Sequence, residues 1–349
     1  MPPNVLSNHD LEQLVDTSDE WITTRTGIKE RRISHMEASD MAAVAGLRAL
    51  AAAGKKPEDV DLLLVATCSG DSIIPSTASV VQRKMEAWNS AAMDLNAACS
   101  GFVYGLVVGT SMIRTGMNQT VLLIGTEKLH FVMDFTDRTT CVLFGDGAGA
   151  VVLEPTTDDY GVLASDLGLD GSVGHILEVP VDGTFGDRCP VDPSKSGVSM
   201  EGQEVFRRAV TMMGESSKIS LEKAGLALDD VDLLIPHQAN VRIIDATARR
   251  LGIDESKVFV NIHSYGNTSA ATIPVALTEA LEQGRIQPGD NVVFAAFGGG
   301  LSWGSAVHRW GPRVEPLSES DAELPPTDLT TIDLLQPNFD FFGLPEKLS

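Results

Sequence analysis

The sequence predicts a layered α/β fold built as a duplication, each half carrying a mainly parallel sheet with helices on both faces. Three observations carry this. Ala53-Gly54, four residues, then Asp59-Val-Asp-Leu-Leu63 recurs as Ala224-Gly225, four residues, then Asp230-Val-Asp-Leu-Leu234, an offset of 171 in a chain of 349 residues. Arg114 and Arg285, and the apolar runs from Val121 and Val292, repeat at the same offset, and self-similarity at one period marks repeated structural units. Finally, continuous apolar strand-length runs alternate with longer helical patterns, as in sheets buried on both faces.

In chain order, Ser39 to Ala53 is alanine-rich with helical spacing, and Gly54 and Pro57 stop it. Asp61 to Thr67 reads as a buried strand, Ser100 to Thr115 as a long apolar helix ended by Gly116, and Thr120 to Gly125 as another buried strand. The second half repeats this with helix Glu204 to Lys223, strand Val231 to Ile235, helix Ala270 to Glu282 and strand Asn291 to Ala296. His263-Ser-Tyr-Gly266 is read as the end of a further strand at a glycine turn. The division expected is an N-terminal half 1–155, a C-terminal half 156–310 in which 156–203 connects, and an acidic extension 311–349.

Composition narrows the function classes. At 43% hydrophobic the chain can bury a sizeable core, which excludes disorder for the bulk. No apolar run approaches a membrane span, and Met1-Pro2-Pro3 opens no signal peptide. Cys68, Cys99, Cys141 and Cys189 lie far apart without CxxC spacing, which fits a reducing, cytoplasmic setting and neither a disulfide framework nor a zinc site. The net charge of −22 repels nucleic acid and anionic membrane. Of this, eight acids against Arg313 and Lys347 place −6 after residue 310.

Three segments carry candidate chemistry. In Asp94-Leu-Asn-Ala-Ala-Cys99-Ser-Gly101, Cys99 falls at the first turn of the apolar helix. Unpaired N–H groups and the dipole there favour a thiolate nucleophile and can hold an oxyanion. The other three cysteines are read as packing. In Leu234-Ile-Pro236-His237-Gln-Ala-Asn240 a buried strand ends where α/β sheets open their ligand crevice; His237 is a base or oxyanion donor, and Asn240 a binder of amide groups. Asn267, in Gly266-Asn267-Thr-Ser-Ala, sits 171 residues after Asn96, so His237 and Asn267 belong to the repeat facing Cys99 and the three are expected to converge.

Two patterns are set aside. Gly145-Asp-Gly147-Ala-Gly149-Ala150 satisfies a loose dinucleotide fingerprint, and Gly300-Leu-Ser302-Trp-Gly304 a nucleophile elbow. Both run into strand-like sequence where those motifs require a helix. Phe297-Gly-Gly-Gly300 instead lets backbone amides approach a ligand. No HExxH or clustered metal ligands occur among the seven histidines.

Asp16-Thr-Ser-Asp-Glu-Trp21-Ile-Thr-Thr-Arg25-Thr-Gly, the Cys99 segment, Phe144-Gly-Asp-Gly-Ala-Gly-Ala150, Pro236-His-Gln-Ala-Asn240, Tyr265-Gly-Asn-Thr-Ser-Ala270 and Phe297-Gly-Gly-Gly300 together resemble the β-ketoacyl-acyl carrier protein synthase III family. The resemblance runs in order over residues 4 to 310. It implies a thiolase-like, duplicated five-layer αβαβα fold and a homodimer. It implies decarboxylating condensation of acyl-coenzyme A with malonyl-acyl carrier protein, initiating fatty acid synthesis without metal or redox cofactor.

By the same resemblance Cys99 is the acylated nucleophile, completed by His237 and Asn267, with the backbone N–H groups of Cys99 and Gly299 as oxyanion hole. Trp21 and Arg138 would sandwich the coenzyme A adenine, Arg25 would lie near its phosphates, and Asn240 would contact the pantetheine arm. Ile74 would cross the dimer interface into the partner's acyl pocket, where the best-known members carry an aromatic. Arg207, Arg208, Arg242, Arg249 and Arg250 would dock the acidic carrier protein. The alternatives are a related Cys-His-Asn condensing enzyme of specialised metabolism using another starter or acceptor, and a non-decarboxylating acyltransferase. The family pattern also has a strand ahead of Pro3-Asn4, and the extension lies outside that pattern. A loosely attached acidic tail is the favoured reading of 311–349; the other has Thr330 to Leu335 and the Phe339–Leu344 cluster returning to cover an edge or groove.

Overall fold

The computed structural model describes residues 1–179 and 196–344. Strands β3 (Leu62–Ala66), β4 (Ala91–Leu95), β5 (Val121–Glu127) and β6 (Gly147–Leu153) form one sheet in the order β4-β3-β5-β6. Strands β7 (Gly161–Leu169), β10 (Leu233–Pro236), β11 (Asn291–Gly298) and β12 (Ser302–Arg309) form the second, in the order β10-β11-β12-β7. Among the described residues, two ribbons complete the strands: β1 (Asn4–Ser7) with β2 (Glu30–Ile33), and β8 (Leu177–Glu178) with β9 (Ser199–Met200).

The first sheet is mainly parallel: β3 runs parallel to β4 and β5, and β6 pairs antiparallel at the edge. The second is not, because β10 and β11 run parallel while β12 and β7 pair antiparallel. There the cause is local: Gly298–Leu301 turns β11 straight into β12, and parallel neighbours need a crossover.

Alternate side chains of each fully buried strand face opposite ways, and this builds five layers. Leu62 and Leu64 of β3 and Val292 and Phe294 of β11 face a central cluster with Phe102 and Leu106 of α5 (Gly101–Arg114) and Ile273 and Leu277 of α9 (Thr272–Glu282). Leu63 and Val65 face α3 (Ala38–Ala53) and α4 (Thr77–Met85) on the outside. Leu234 and Val293 face α6 (Gly202–Ala224) and α7 (Val241–Leu251) on the opposite outside. Burying each such Leu, Val or Phe contributes about 1.5–3 kcal/mol.

The duplication reaches the backbone. Turns Ala98–Ser100 and Ser269–Ala271 lie 171 apart, as do the first residues of α5 and α9. Ala98 (φ 46°) and Ser269 (φ 48°) both hold the left-handed conformation without being glycine, a strained state that clusters at functional sites. Oδ1 of Asn96 and of Asn267 each accepts the N–H two residues on, from Ala98 at 3.2 Å and Ser269 at 2.8 Å.

Helices α1 (Asn8–Leu14), α2 (Asp19–Thr26) and α8 (Ile262–Tyr265) surround the first ribbon. The expected strand at His263 is therefore the short helix α8. Gln238 prevents a ladder there: its side chain donates to the Phe259 carbonyl and accepts the Asn261 N–H, occupying groups a strand would pair. Arg31, fully buried, donates to Leu6 O, Asn8 Oδ1 and Val142 O and ties this region to the first sheet's connection.

The extension is not loosely attached. Leu317 N and Ser318 Oγ donate to the carbonyls of Ala52 and Ala51, Arg48 Nε donates to Ala322 O, and His35 Nε2 lies 2.7 Å from Pro325 O. The chain then enters helix α10 (Thr331–Phe342), whose Leu335 and Phe339 join the core beneath β1. The Thr330 to Leu335 stretch is thus helical: Thr330 and Asp333 form a capping box. The tail covers a surface, as one reading expected, and does so with a helix.

Candidate active site

Cys99 sits in the turn that opens α5, where β4 has ended against the second sheet's glycine run. A Cβ placed on Gly298 would lie 2.7 Å from the Cys99 backbone nitrogen, so only glycine allows this approach. Around the Cys99 thiol, the Ser269 hydroxyl and the backbone N–H groups of Cys99 and Gly299 each act to lower its pKa.

Those donors do not make a resting thiolate. Burial is the largest influence and pushes the Cys99 thiol up to about 11, against the Ser269 hydroxyl and with Glu127 adding to the rise. The thiolate expected from the helix terminus is therefore absent in the unliganded site. Desolvation of a fully enclosed thiol outweighs a half-charge dipole and two amides.

His237 follows β10 and is 2% exposed. Its Nδ1 lies 2.7 Å from Thr272 Oγ1, and burial presses the imidazole down to about 3, so it is neutral. Asn267 is also buried, and since its Oδ1 accepts the Ser269 N–H, its NH2 is the group left to donate. Cys99, His237, Asn267 and Gly299 all line one cavity of about 1280 Å³, with Trp21, Arg25, Asn240 and Arg242 toward its entrance.

The remaining candidates fall in different places. The Arg25 and Arg138 guanidinium carbons lie 4.8 and 5.3 Å from the Trp21 ring centre, and Arg138 donates to Asp16 O. Trp21 and Arg138 are thus in contact, and a planar base enters between them only if Arg138 swings off Asp16. Asn240 caps α7 by accepting the Arg242 N–H. Arg207 and Arg208 are ion-paired with Glu204, and Arg250 with Glu215. Arg242 lies over Phe206, and Arg249 is exposed on α7. Ile74 is 87% exposed on the loop before α4, away from its own chain's cavity.

Sequence reasoning missed three polar residues and misplaced one cysteine. Glu127, fully buried at the end of β5, accepts from Ser69 Oγ, Ser269 Oγ and Cys68 N–H; burial raises its pKa against those bonds. Ser269 donates to Glu127, and its hydroxyl acts to lower the Cys99 pKa, while Thr272 lies against His237. The available signal was a charged residue closing a fully buried strand. Cys68, read as packing, is exposed on the cavity wall, and its N–H donates to Glu127. Cys141 is buried packing, and Cys189 lies outside the described residues. Among the described residues no cluster of His, Cys, Asp and Glu could hold a metal, and no helix is long and apolar enough to cross a membrane.

A family model described as 3-oxoacyl-[acyl-carrier-protein] synthase III matches residues 93–171, and that of the same enzyme's C-terminal region matches 221–310. The chain is 53% identical over 335 residues to a β-ketoacyl-[acyl-carrier-protein] synthase III 2 of Vibrio vulnificus, covering 96% of this chain and 92% of that one. It is 49% identical over 317 residues to the synthase III of Desulfitobacterium hafniense, 90% of this chain and 96% of that one. The crystal structure of the Aquifex aeolicus 3-oxoacyl-[acyl-carrier-protein] synthase III superposes with a TM-score of 0.83 at 48% identity, over 89% of this chain and 97% of that one. The Cys99 turn and the glycine run both lie inside the matched spans, and with a 53% identical relative over 96% of its length the chain belongs to the β-ketoacyl-[acyl-carrier-protein] synthase III family.

Proposed function

We propose that this chain condenses an acyl-coenzyme A starter with malonyl-acyl carrier protein through an acyl-Cys99 intermediate, the first condensation of fatty acid synthesis. The observation that carries the reading is that Cys99, His237, Asn267 and Gly299 line one cavity wall.

The first half-reaction is acyl transfer. Cys99 sulfur attacks the thioester carbonyl, and its proton leaves with the coenzyme A thiol. The Cys99 and Gly299 N–H groups stabilise the charge that develops on the carbonyl oxygen. In the second, the malonyl thioester oxygen faces His237 and Asn267. Loss of carbon dioxide moves an electron pair toward that oxygen, where a neutral imidazole N–H and the Asn267 amide donate to it. The enolate carbon then attacks the acyl carbonyl, the C–S bond to Cys99 breaks, and the thiolate takes a proton from water. Charge is carried throughout by these donors, so the reaction as written uses no metal or redox group.

The entrance suits the partners. Trp21, Arg25 and Arg138 offer a stacking face and positive charge to the nucleotide end of coenzyme A, and Asn240 keeps an NH2 for the pantetheine arm. Arg242 and Arg249, with Arg207, Arg208 and Arg250 behind ion pairs, give an acidic carrier protein a local basic face on an anionic molecule. The working unit in this reading is a cytoplasmic homodimer: β4 is a sheet edge, and Ile73 and Ile74 are 97% and 87% exposed, an apolar tip that a second subunit would bury. The test separates the half-reactions in Asn267→Ala and His237→Ala. Carbon dioxide release should fall by about 10²–10³ while Cys99 acylation persists; equal loss of both steps contradicts the division of roles.

A further inference from the structure

Helix α10 is fastened to the cavity wall. Asn338, 5% exposed, donates through Nδ2 to the carbonyls of His130 at 2.6 Å and Met133 at 3.2 Å. Phe339 packs edge-on to Phe135 with ring centres 5.6 Å apart. The segment so held supplies Leu129, Phe131 and Val132 to the lining of the cavity. It is fixed from its other side as well: His130 Nδ1 lies 2.5 Å from Asp146 Oδ2, and Asp146 also accepts the His130 and Ser34 N–H groups. One residue before Asp146, the Gly145 N–H donates to Asn267 O, and the Asn267 N–H donates to Leu143 O. A continuous set of hydrogen bonds therefore runs from the C-terminal helix, along the cavity wall, to Asn267.

The extension is not private to this chain. The 335 residues aligned with the Vibrio vulnificus relative exceed the 310 that precede the extension.

We infer that α10 is a working part of the acyl-binding cavity, with Asn338 a positioning residue that fixes the Leu129–Met133 wall and so limits the acyl chain accepted. This rests on the condensing reaction proposed above. Two buried hydrogen bonds, one to the Met133 carbonyl and one to the His130 carbonyl that also accepts the Met133 N–H, make Asn338 costly to replace, and an apolar wall discriminates chain length only as sharply as it is rigid.

The test compares the full chain with Asn338→Leu, which removes both donations at similar volume, and with Phe339→Leu, a milder change on the same helix. The first readout is the ratio of kcat/KM for a long-chain over a short-chain acyl-coenzyme A, which is independent of the fraction of enzyme folded. The ratio should move toward the longer donor by about tenfold, the low end of what one methylene is worth in an apolar pocket, with KM for malonyl carrier protein unchanged. A ratio equal to that of the full chain in both variants, with or without a fall in melting temperature, overturns the inference. The second readout needs no activity: hydrogen exchange at the Val132 and Met133 amides should quicken by about tenfold in Asn338→Leu. Unchanged exchange overturns the brace even where condensation stands; no acyl transfer in the full chain together with quickened exchange in Asn338→Leu rejects the condensing reading and leaves the brace.

Discussion

Nδ1 of His237 lies 2.7 Å from Oγ1 of Thr272, and the same hydroxyl is 2.9 Å from the carbonyl oxygen of Ser269. The hydroxyl has one proton, and the Ser269 carbonyl, which can only accept, competes with His237 for it. Donated to His237, it leaves Nε2 as the N–H that faces the cavity; donated to Ser269, it leaves Nε2 bare. Enolate stabilisation requires the first arrangement. Thr272→Val should therefore lower carbon dioxide release from malonyl carrier protein by roughly tenfold, less than loss of a direct oxyanion donor, while acyl transfer to Cys99 changes little. Thr272→Ser should restore it. Full decarboxylation in the valine variant would remove Thr272 from the mechanism.

Cys99 should resist alkylation at neutral pH. Its pKa is pushed up to about 11, chiefly by burial, and only the thiolate reacts. The iodoacetamide rate at Cys99 should keep climbing through pH 9, without the plateau that an activated thiolate shows between pH 6 and 8. A plateau in that range would mean that the unliganded site already holds a thiolate.

His237 also makes the fold sensitive to acid. Its folded pKa is depressed to about 3 by burial, whereas the unfolded side chain titrates near 6.5. Below about pH 6.5 the unfolded chain binds a proton that the folded one refuses. Its contribution is complete above that pH and is lost as pH falls toward 3. Denaturant titrations should show a shallower loss of stability between pH 6.5 and 5 for His237→Gln than for the native chain, and parallel slopes would count against a neutral buried imidazole.

Two strands of each sheet, the central helices and the convergence of Cys99, His237 and Asn267 on one cavity were legible in the sequence because each rests on apolar runs or on the 171-residue offset. Polar residues inside helix starts carry no such pattern. Thr272 and Ser269 read as ordinary members of a Thr-Ser-Ala run, and only the fold brings Ser269 against Glu127. Helix α10 was hidden differently. Pro337 lies inside it and Pro325-Pro326 precede it, and proline argues against a helix of any stability on its own. Burial of Leu335 and Phe339 supplies what local preference withholds. The Thr330-x-x-Asp333 capping box was the available signal.

Carrier docking is tested most cleanly at Arg249, exposed on α7 and outside the cavity lining. Arg249→Glu should raise KM for malonyl carrier protein several-fold, more at low salt than at high, and leave acyl-coenzyme A kinetics unchanged. Unaltered carrier kinetics would move the docking face elsewhere.

The most direct test of the account is peptide mass mapping after incubation with a panel of acyl-coenzyme A donors and no malonyl carrier protein. One acyl group per chain should appear, on Cys99, should vanish in Cys99→Ala, and should be discharged when malonyl carrier protein is added. An acyl group on Cys68 or Cys141 that is consumed on adding malonyl carrier protein, or no adduct from any donor, would contradict it.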